Sequence, residues 1–276
     1  MSVSRLPWPA FVLLLPLVVW GLFGAWLYPH DPSAINLLAP HKPPAWLPGG
    51  DWHFVLGTDQ FGRDMLSQII AGARPALIVS LCGVALAAGI GIPAGLIAGF
   101  YGGWTDNVVM RVVDVKMSIP PILLTLLIGG AIGGGLATIL ISIALVFWAD
   151  YARVVRSEAL VLRNADYVAL ARVAGCSDLR ILARHILPNL FATCIVLMTL
   201  QLGRALIVEA SITFLGLGIQ APNTAWGLLI AEGRSFVTTD WWIPTFPGLC
   251  ITVTVLGANM FGDWLRERLD PRLWQV

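Results

Sequence analysis

Apolar residues fall into six long runs separated by polar breaks, and each run predicts a membrane-spanning helix. A span needs about 20 mostly apolar residues. Residues 6–29 hold 24 positions without Asp, Glu, Lys or Arg and give the first. Trp20, Trp26 and Tyr28 stand where a cleavage site would need small residues, so the run reads as a retained helix and not as a signal peptide. Residues 75–105 give the second span and 107–128 the third, with Arg111, Asp114 and Lys116 near its start. Residues 136–155 give the fourth, 190–215 the fifth and 244–265 the sixth. Gly129, Gly130, Gly133, Gly134 and Gly135 mark a tight turn between the third and fourth.

The polar stretches have patterns of their own. Residues 30–74 begin with Pro32, Pro40, Pro43, Pro44 and Pro48, which favour an extended path. Phe61, Met65, Leu66, Ile69 and Ile70 then recur at helical spacing and predict an interfacial helix over 57–74. The stretch 164–188 is arginine-rich yet lies between two spans. Asn164 is a suitable N-cap and Asp166 places negative charge in the first turn, so a helix is expected over 165–174. Gly175 is the natural residue to end it. Ser177 and Asp178 start a second helix, and Pro188 stops it or marks entry to the fifth span. Tyr167, Leu170, Ala171 and Ala174 form an apolar stripe at i, i+3, i+4, i+7. On a water-facing loop such a stripe needs cover, from the chain's own helices or from a soluble partner.

Composition agrees with a membrane protein. Of 276 residues, 57% are hydrophobic and 12% charged, with mean hydropathy +0.79; a soluble domain carries roughly 25% charged residues. The net charge of +1 gives no basic field for nucleic acid. Cys82, Cys176, Cys194 and Cys250 lack metal-ligand spacing and read as apolar fillers. Six spans put both termini on one side. That side holds Arg5, Arg111, Lys116, Arg153, Arg156, Arg163, Arg172, Arg180, Arg184, Arg266, Arg268 and Arg272; the other holds Lys42, Arg63, Arg74 and Arg234. The imbalance places the termini and the polar insert in the cytoplasm, and 30–74 and 217–243 outside. The organisation expected is a tail and first helix over 1–29, an outer loop over 30–74 and a core over 75–276, with a cytoplasmic coupling loop at 156–189. The short tail and the lack of a C-terminal extension argue against an added regulatory domain.

Several motifs carry a resemblance. The insert keeps Ala171, Gly175, Leu187 and Pro188 of a cytoplasmic pattern of bacterial ABC importer permeases: Glu-Ala-Ala, three residues, Gly, nine residues, Ile, one residue, Leu-Pro. It departs at Ala169, Leu170 and His185. The stretches from Leu56 to Asp64, from Ser211 to Gly218, and from Gly262 to Arg266 with Leu269, Asp270, Pro271 and Arg272 are similar to the dipeptide/oligopeptide/nickel branch, in its second-permease type. The resemblance implies an all-α membrane protein of the type I importer permease fold: six transmembrane helices, with a coupling helix between the fourth and fifth. It implies a multi-pass inner-membrane subunit paired with a second homologous permease, two cytoplasmic ATPases and an extracytoplasmic binding protein. ATP and magnesium would belong to the ATPases, so no cofactor is expected in this chain. The coupling residues implied are Asp166, Tyr167, Leu170, Ala171, Arg172, Ala174 and Gly175. Peptide is the first substrate expected, with nickel, metal chelates, opines and glutathione as alternatives.

Other charged groups leave choices open. Arg204 and Glu209 lie deep in the fifth span; they line the translocation path or bond to neighbouring helices or the partner permease. Five residues apart, they point about 140° apart and do not form a natural pair. Asp59, Arg63 and Asp64 make either local helix chemistry or an extracytoplasmic contact. His30, His41 and His53 are spaced 11 and 12 apart, which is not a metal-ligand pattern. The chain contains no G-x-x-x-x-G-K-[ST] loop, no H-E-x-x-H helix and no G-x-S-x-G elbow. A membrane enzyme would need converging His, Asp or Ser in the outer loop. A stand-alone ion-driven transporter would need ionisable groups along several spans.

Overall fold

The computed structural model describes residues 7–269. Eleven α-helical segments are found among them: α1 Trp8–Leu27, α2 Met65–Ile78, α3 Val84–Tyr101, α4 Gly103–Met117, α5 Pro121–Ile132, α6 Leu136–Leu162, α7 Asp166–Val173, α8 Asp178–Ile181, α9 Leu187–Phe214, α10 Trp226–Gly233 and α11 Trp242–Leu269. Five helical rods are long and apolar enough to cross a membrane: α1, α2 with α3, α6, α8 with α9, and α11. A sixth crossing is reached by counting the bent pair α4 and α5 as one span. The protein is therefore an all-helical, multi-pass membrane protein.

The third span is broken. α4 and α5 meet at 89°. Ser118 ends α4, and Pro120 sits in extended geometry (φ −56°, ψ 132°) before α5 starts at Pro121. Proline lacks the amide hydrogen and pushes its predecessor out of the helical region, so two in succession stop the helix. Gly129 and Gly130 fall inside α5, and the turn to α6 is made by Gly133 and Gly135, both at positive φ.

The interfacial helix expected over 57–74 is not a separate element. The helix begins at Met65, after Asp64 caps it by accepting from the Ser67 amide. It then runs on past Pro75 through a π-helical stretch, Val79–Gly83, into α3. The wider turn absorbs the distortion that Pro75 introduces. A similar π-helical stretch, Leu182–Ile186, joins α8 to α9, so Pro188 does not stop the rod but stands in the first turn of α9, at the entry to the fifth span. Both rods enter the stretch 156–189 expected as a coupling loop: α6 reaches Leu162, and the next long rod begins at Asp178.

The central contact is α3 against α6. Gly91, Gly95 and Gly99 form one face of α3. A Cβ at Gly91 would overlap the Trp148 carbonyl. One at Gly95 would meet the Ala152 carbonyl at 2.5 Å, and one at Gly99 the Ala159 Cβ at 2.7 Å. In lipid there is no hydrophobic gain from helix association, so close backbone approach and dispersion must hold the pair. Val79, Ala87, Ile139, Ile143, Phe147 and Ile212 fill the adjoining core among α3, α6 and α9.

The two connections at the end of the molecule remote from α7 are tied together. Trp242 Nε1 donates to the Thr58 carbonyl (3.1 Å), and Trp226 Nε1 donates to the Ile69 carbonyl (2.9 Å). Both indoles are buried. Gly72 leaves the slot that Trp226 fills, since a Cβ there would stand 2.8 Å from its ring.

Candidate functional site

The short helix α7 is held by two side chains. Val168 and Ala171 are buried against Phe100, Val155, Ala159, Ile181, Ile186 and Leu190. The opposite side is apolar and uncovered: Leu170 is 69% exposed, Val173 88%, and Tyr167 38%. Leu179, at the start of the next rod, is 75% exposed. The expected stripe therefore divides. Ala171 turns inward with Val168, which the pattern had not singled out. Tyr167, Leu170 and Ala174 turn outward with Val173.

The ends of α7 have clear chemical causes. Asn164 does not cap it: its side-chain amide donates to the Leu160 carbonyl (3.1 Å) and finishes α6. The N-cap is Ala165, in extended geometry, whose carbonyl accepts from the amides of Val168 and Ala169. Asp166 in the first turn and Arg172 in the last complement the helix dipole. Gly175 has φ +77°. The Cys176 amide donates to the Ala171 carbonyl (3.0 Å) and the Gly175 amide to the Arg172 carbonyl (2.9 Å). This paired closure needs a left-handed residue at Gly175.

A charged girdle steadies the helices that carry α7. Arg156 on α6 holds Asp106 on α4 through two guanidinium nitrogens, and Arg153 reaches Asp114 at 3.2 Å. Arg163 donates to the Gly99 carbonyl (3.1 Å), covering the end of α3. Arg172 lies over the Phe100 ring at 5.4 Å. Arg153, Arg156 and Arg163, which in the sequence serve only to set orientation, thus have structural partners.

Arg204 and Glu209 do not meet. Arg204 Nη1 donates to Asp150 Oδ2 on α6 (3.0 Å), and Gln201 Nε2 donates to the same oxygen (2.9 Å). The Arg204 guanidinium also lies 5.1 Å from the centre of the Phe147 ring. Its side chain stays 58% exposed in this single chain. Glu209 is buried and accepts from Thr213 Oγ1 (3.0 Å). Asp150 was missed in the sequence, although one carboxylate within an apolar run is a signal of its own.

Asp59, Arg63 and Asp64 bond mainly to their own chain. Asp59 and Asp64 are 1% and 2% exposed. Asp59 accepts from Arg63 Nε (2.6 Å), Gln68 Nε2 (3.0 Å) and the amides of Phe61 and Arg63. Arg63 Nη2 donates to Glu232 on α10 (2.5 Å). Asp64 accepts from the Ser67 amide and hydroxyl. Most of their polar atoms are bonded inside the chain, the local chemistry of the two alternatives, while Asp64 Oδ1 is buried without a hydrogen-bond partner. His30 and His53 lie with ring centres 4.4 Å apart, while His41 pairs with Asp240 at 2.8 Å. No cluster of three metal-ligating side chains forms among the described residues. Asp270, Pro271 and Arg272 of the last motif, and Arg5, lie outside the described residues.

Comparison with known proteins fits this geometry. Residues 91–275 match the family described as binding-protein-dependent transport system inner membrane component. The di/tripeptide transport system permease protein DppC of Pseudomonas aeruginosa is 39% identical over 262 residues, covering 95% of this chain and 86% of the relative. The probable D,D-dipeptide transport system permease protein DdpC of Escherichia coli is 37% identical over 261 residues, with 95% and 86% covered. The glutathione transport system permease protein GsiD of Pectobacterium atrosepticum is 37% identical over 263 residues, with 95% and 85% covered. An inward-facing structure of the MetNI methionine ABC transporter shares the fold. Its TM-score is 0.60 at 17% identity, covering 74% of this chain and 97% of that one.

Proposed function

From the chain's membership of the family of binding-protein-dependent transport system inner membrane components, we propose that it forms half of a peptide-conducting pathway and receives the stroke of a cytoplasmic ATPase through α7. The protein is a permease subunit of an ABC importer of the peptide-transport type, and ATP hydrolysis belongs to its partners. The complete machine in this reading contains a second, homologous permease, two ATPases and an extracytoplasmic binding protein. The relatives named for peptide transport support peptide as cargo.

One observation carries the coupling role. α7 is fixed to its own protein by Val168 and Ala171, while Tyr167, Leu170 and Val173 form an apolar face covered by nothing in the chain. A water-facing helix with such a face is built to be covered by another protein. The excess of Lys and Arg on the α7 side supports a cytoplasmic location for it and for both termini. Alternating access then requires that the ATPases grip α7 differently in two global states. Arg204, half-exposed inside the membrane, supports a place for the Asp150–Arg204 pair at the pathway or at the boundary with the second permease.

The test replaces Leu170 and Val173 together by Asp in the assembled transporter. The expected result is an unchanged amount of membrane-inserted chain, loss of ATPase subunits on purification, and ATP-driven peptide uptake by proteoliposomes below a tenth of normal. Normal uptake in that variant refutes the coupling role of α7.

A further inference from the structure

A cavity of about 590 Å³ opens beside α1 and α2, at the end of the molecule remote from α7. Its walls include Trp20 and Leu22 of α1, Arg74 of α2, and Tyr28 and Asp31 in the stretch after α1. Two charges of opposite sign thus face one space. No carboxylate among the described residues lies within ion-pair distance of Arg74.

The depth of Arg74 follows from its neighbours. A Cβ on Gly24 would meet Ile70, and one on Gly21 would meet Leu77 and the Ala73 carbonyl. Arg74 is therefore level with the turn of α1 from Gly21 to Gly24, three to six residues before Leu27, or about 5–9 Å along the axis. α1 has 20 residues and a length of about 30 Å, which matches the hydrocarbon core. The Arg74 backbone is then inside the hydrocarbon, and its guanidinium must rise toward the headgroups and find an anion there. Asp31 lies past the end of α1, nearer water. Its carboxylate accepts from Ser33 Oγ (2.6 Å) and the Ser33 amide (2.8 Å). These bonds, the hydroxyl first, hold it below the usual carboxylate range, so it is anionic at neutral pH.

An apolar track leads away from the cavity into the membrane. Leu22, Val18 and Leu15 are exposed on one face of α1 at helical spacing and extend about 10 Å. We propose that this cavity and track hold one phospholipid bearing a primary ammonium group, of the phosphatidylethanolamine type. The phosphate sits on Arg74, the ammonium on Asp31, and an acyl chain along Leu22, Val18 and Leu15. The order of charges matches such a headgroup, whose phosphate is deeper than its ammonium. The exposed apolar track distinguishes a lipid from a free peptide, which would offer the same two charges without a tail.

The test uses the assembled transporter purified in mild detergent. Native mass spectrometry reads the retained lipid, and thermal unfolding of delipidated protein reads the response to added phosphatidylethanolamine or phosphatidylglycerol. Retention of phosphatidylethanolamine is expected, with an affinity about tenfold lower in Arg74→Gln, the effect of losing one charge-assisted contact. Arg74→Lys should restore part of the binding and show that the fold survives. Asp31→Asn should remove the preference for phosphatidylethanolamine over phosphatidylglycerol. Equal lipid retention in the wild type and Arg74→Gln overturns the proposal, as does equal response of the wild type to both lipids. Stabilisation by free dialanine, dependent on Arg74 and without a lipid response, assigns the cavity to cargo and overturns it too.

Discussion

The two ends of this molecule treat their polar segments in opposite ways. At one end, the loop from Tyr28 to Asp64 folds back on itself. Thr58, Asp59 and Asp64 are buried and each accepts hydrogen bonds from within the chain, and the Trp242 indole locks onto the Thr58 carbonyl. At the other end, α7 is held by two small apolar contacts and presents Leu170 and Val173 to solvent. The first end bonds most of its buried carboxylate oxygens within the chain, with Asp64 Oδ1 and Gln68 Oε1 left over, and the second leaves an apolar face that the chain itself does not cover. Buried charge is tolerable where an opposite charge and hydrogen bonds compensate it. An exposed apolar helix is tolerable where another protein shields it for most of its life.

This contrast can be broken from either side, and the expected effects on the fold fall in order. Asp59→Ala removes the buried acceptor of the Arg63 guanidinium, the Gln68 side chain and the amides of Phe61 and Arg63, and leaves Arg63 with the carboxylate of Glu232. It should destabilise the protein by about 3–5 kcal/mol, read as a fall in the thermal midpoint of the purified protein. Gly95→Val puts a branched side chain into the Ala152 backbone. It should cost about 1–3 kcal/mol or more and loosen α3 from α6, measurable as faster hydrogen exchange in both helices. Gly175→Val meets open space, since nothing lies within 4 Å of a Cβ there. Its cost is the left-handed backbone alone, about 1–2 kcal/mol. The chain should stay inserted but transport poorly, and Gly175→Asn, which tolerates positive φ, should transport better than the valine variant. Normal uptake by Gly175→Val breaks the argument from the helix closure.

The smallest effect concerns the Lys42–Asp51 pair at the loop-bearing end (2.9 Å). The His53 amide first, and then Lys42, hold the Asp51 carboxyl below the usual range. A depressed carboxylate contributes stability that is present above its unfolded value and is lost as pH falls through its folded value. Protection of the His53 amide in hydrogen exchange should therefore persist at neutral pH and fade only in acid below about pH 4. Asp51→Asn should flatten that dependence and leave transport unchanged.

How legible the protein was in its sequence varied with the range of the forces involved. The glycine stripe on α3, the stop at Gly175 and the acidic start at Asp166 are local, and the chain shows them directly. The proline pair after Ile119 was also in view, yet a run of apolar residues over 107–128 concealed a right-angled break. Hydropathy sums over a window and is blind to the direction of the backbone. Asn164 shows a further limit: an amide beside two helices can serve either, and geometry gave it to α6.

Composition and periodicity by themselves determined an all-helical membrane protein with long apolar runs and a polar insert shaped as a short helix. Burial of apolar surface in lipid and intrahelical hydrogen bonding act over a few turns, so the local sequence sufficed. Only the tertiary structure decided that Val168 and Ala171 face inward while Leu170 and Val173 face outward. The same holds for the pairing of Arg204 with Asp150 and of Arg63 with Glu232. These outcomes depend on partners far along the chain, 54 residues away for Arg204 and Asp150 and 169 for Arg63 and Glu232, or on the shape of the neighbouring wall. Which side of a helix is covered, and which charge finds a partner, is settled when helices meet, because contact energies fall off within a few ångströms and carry no signature along the chain.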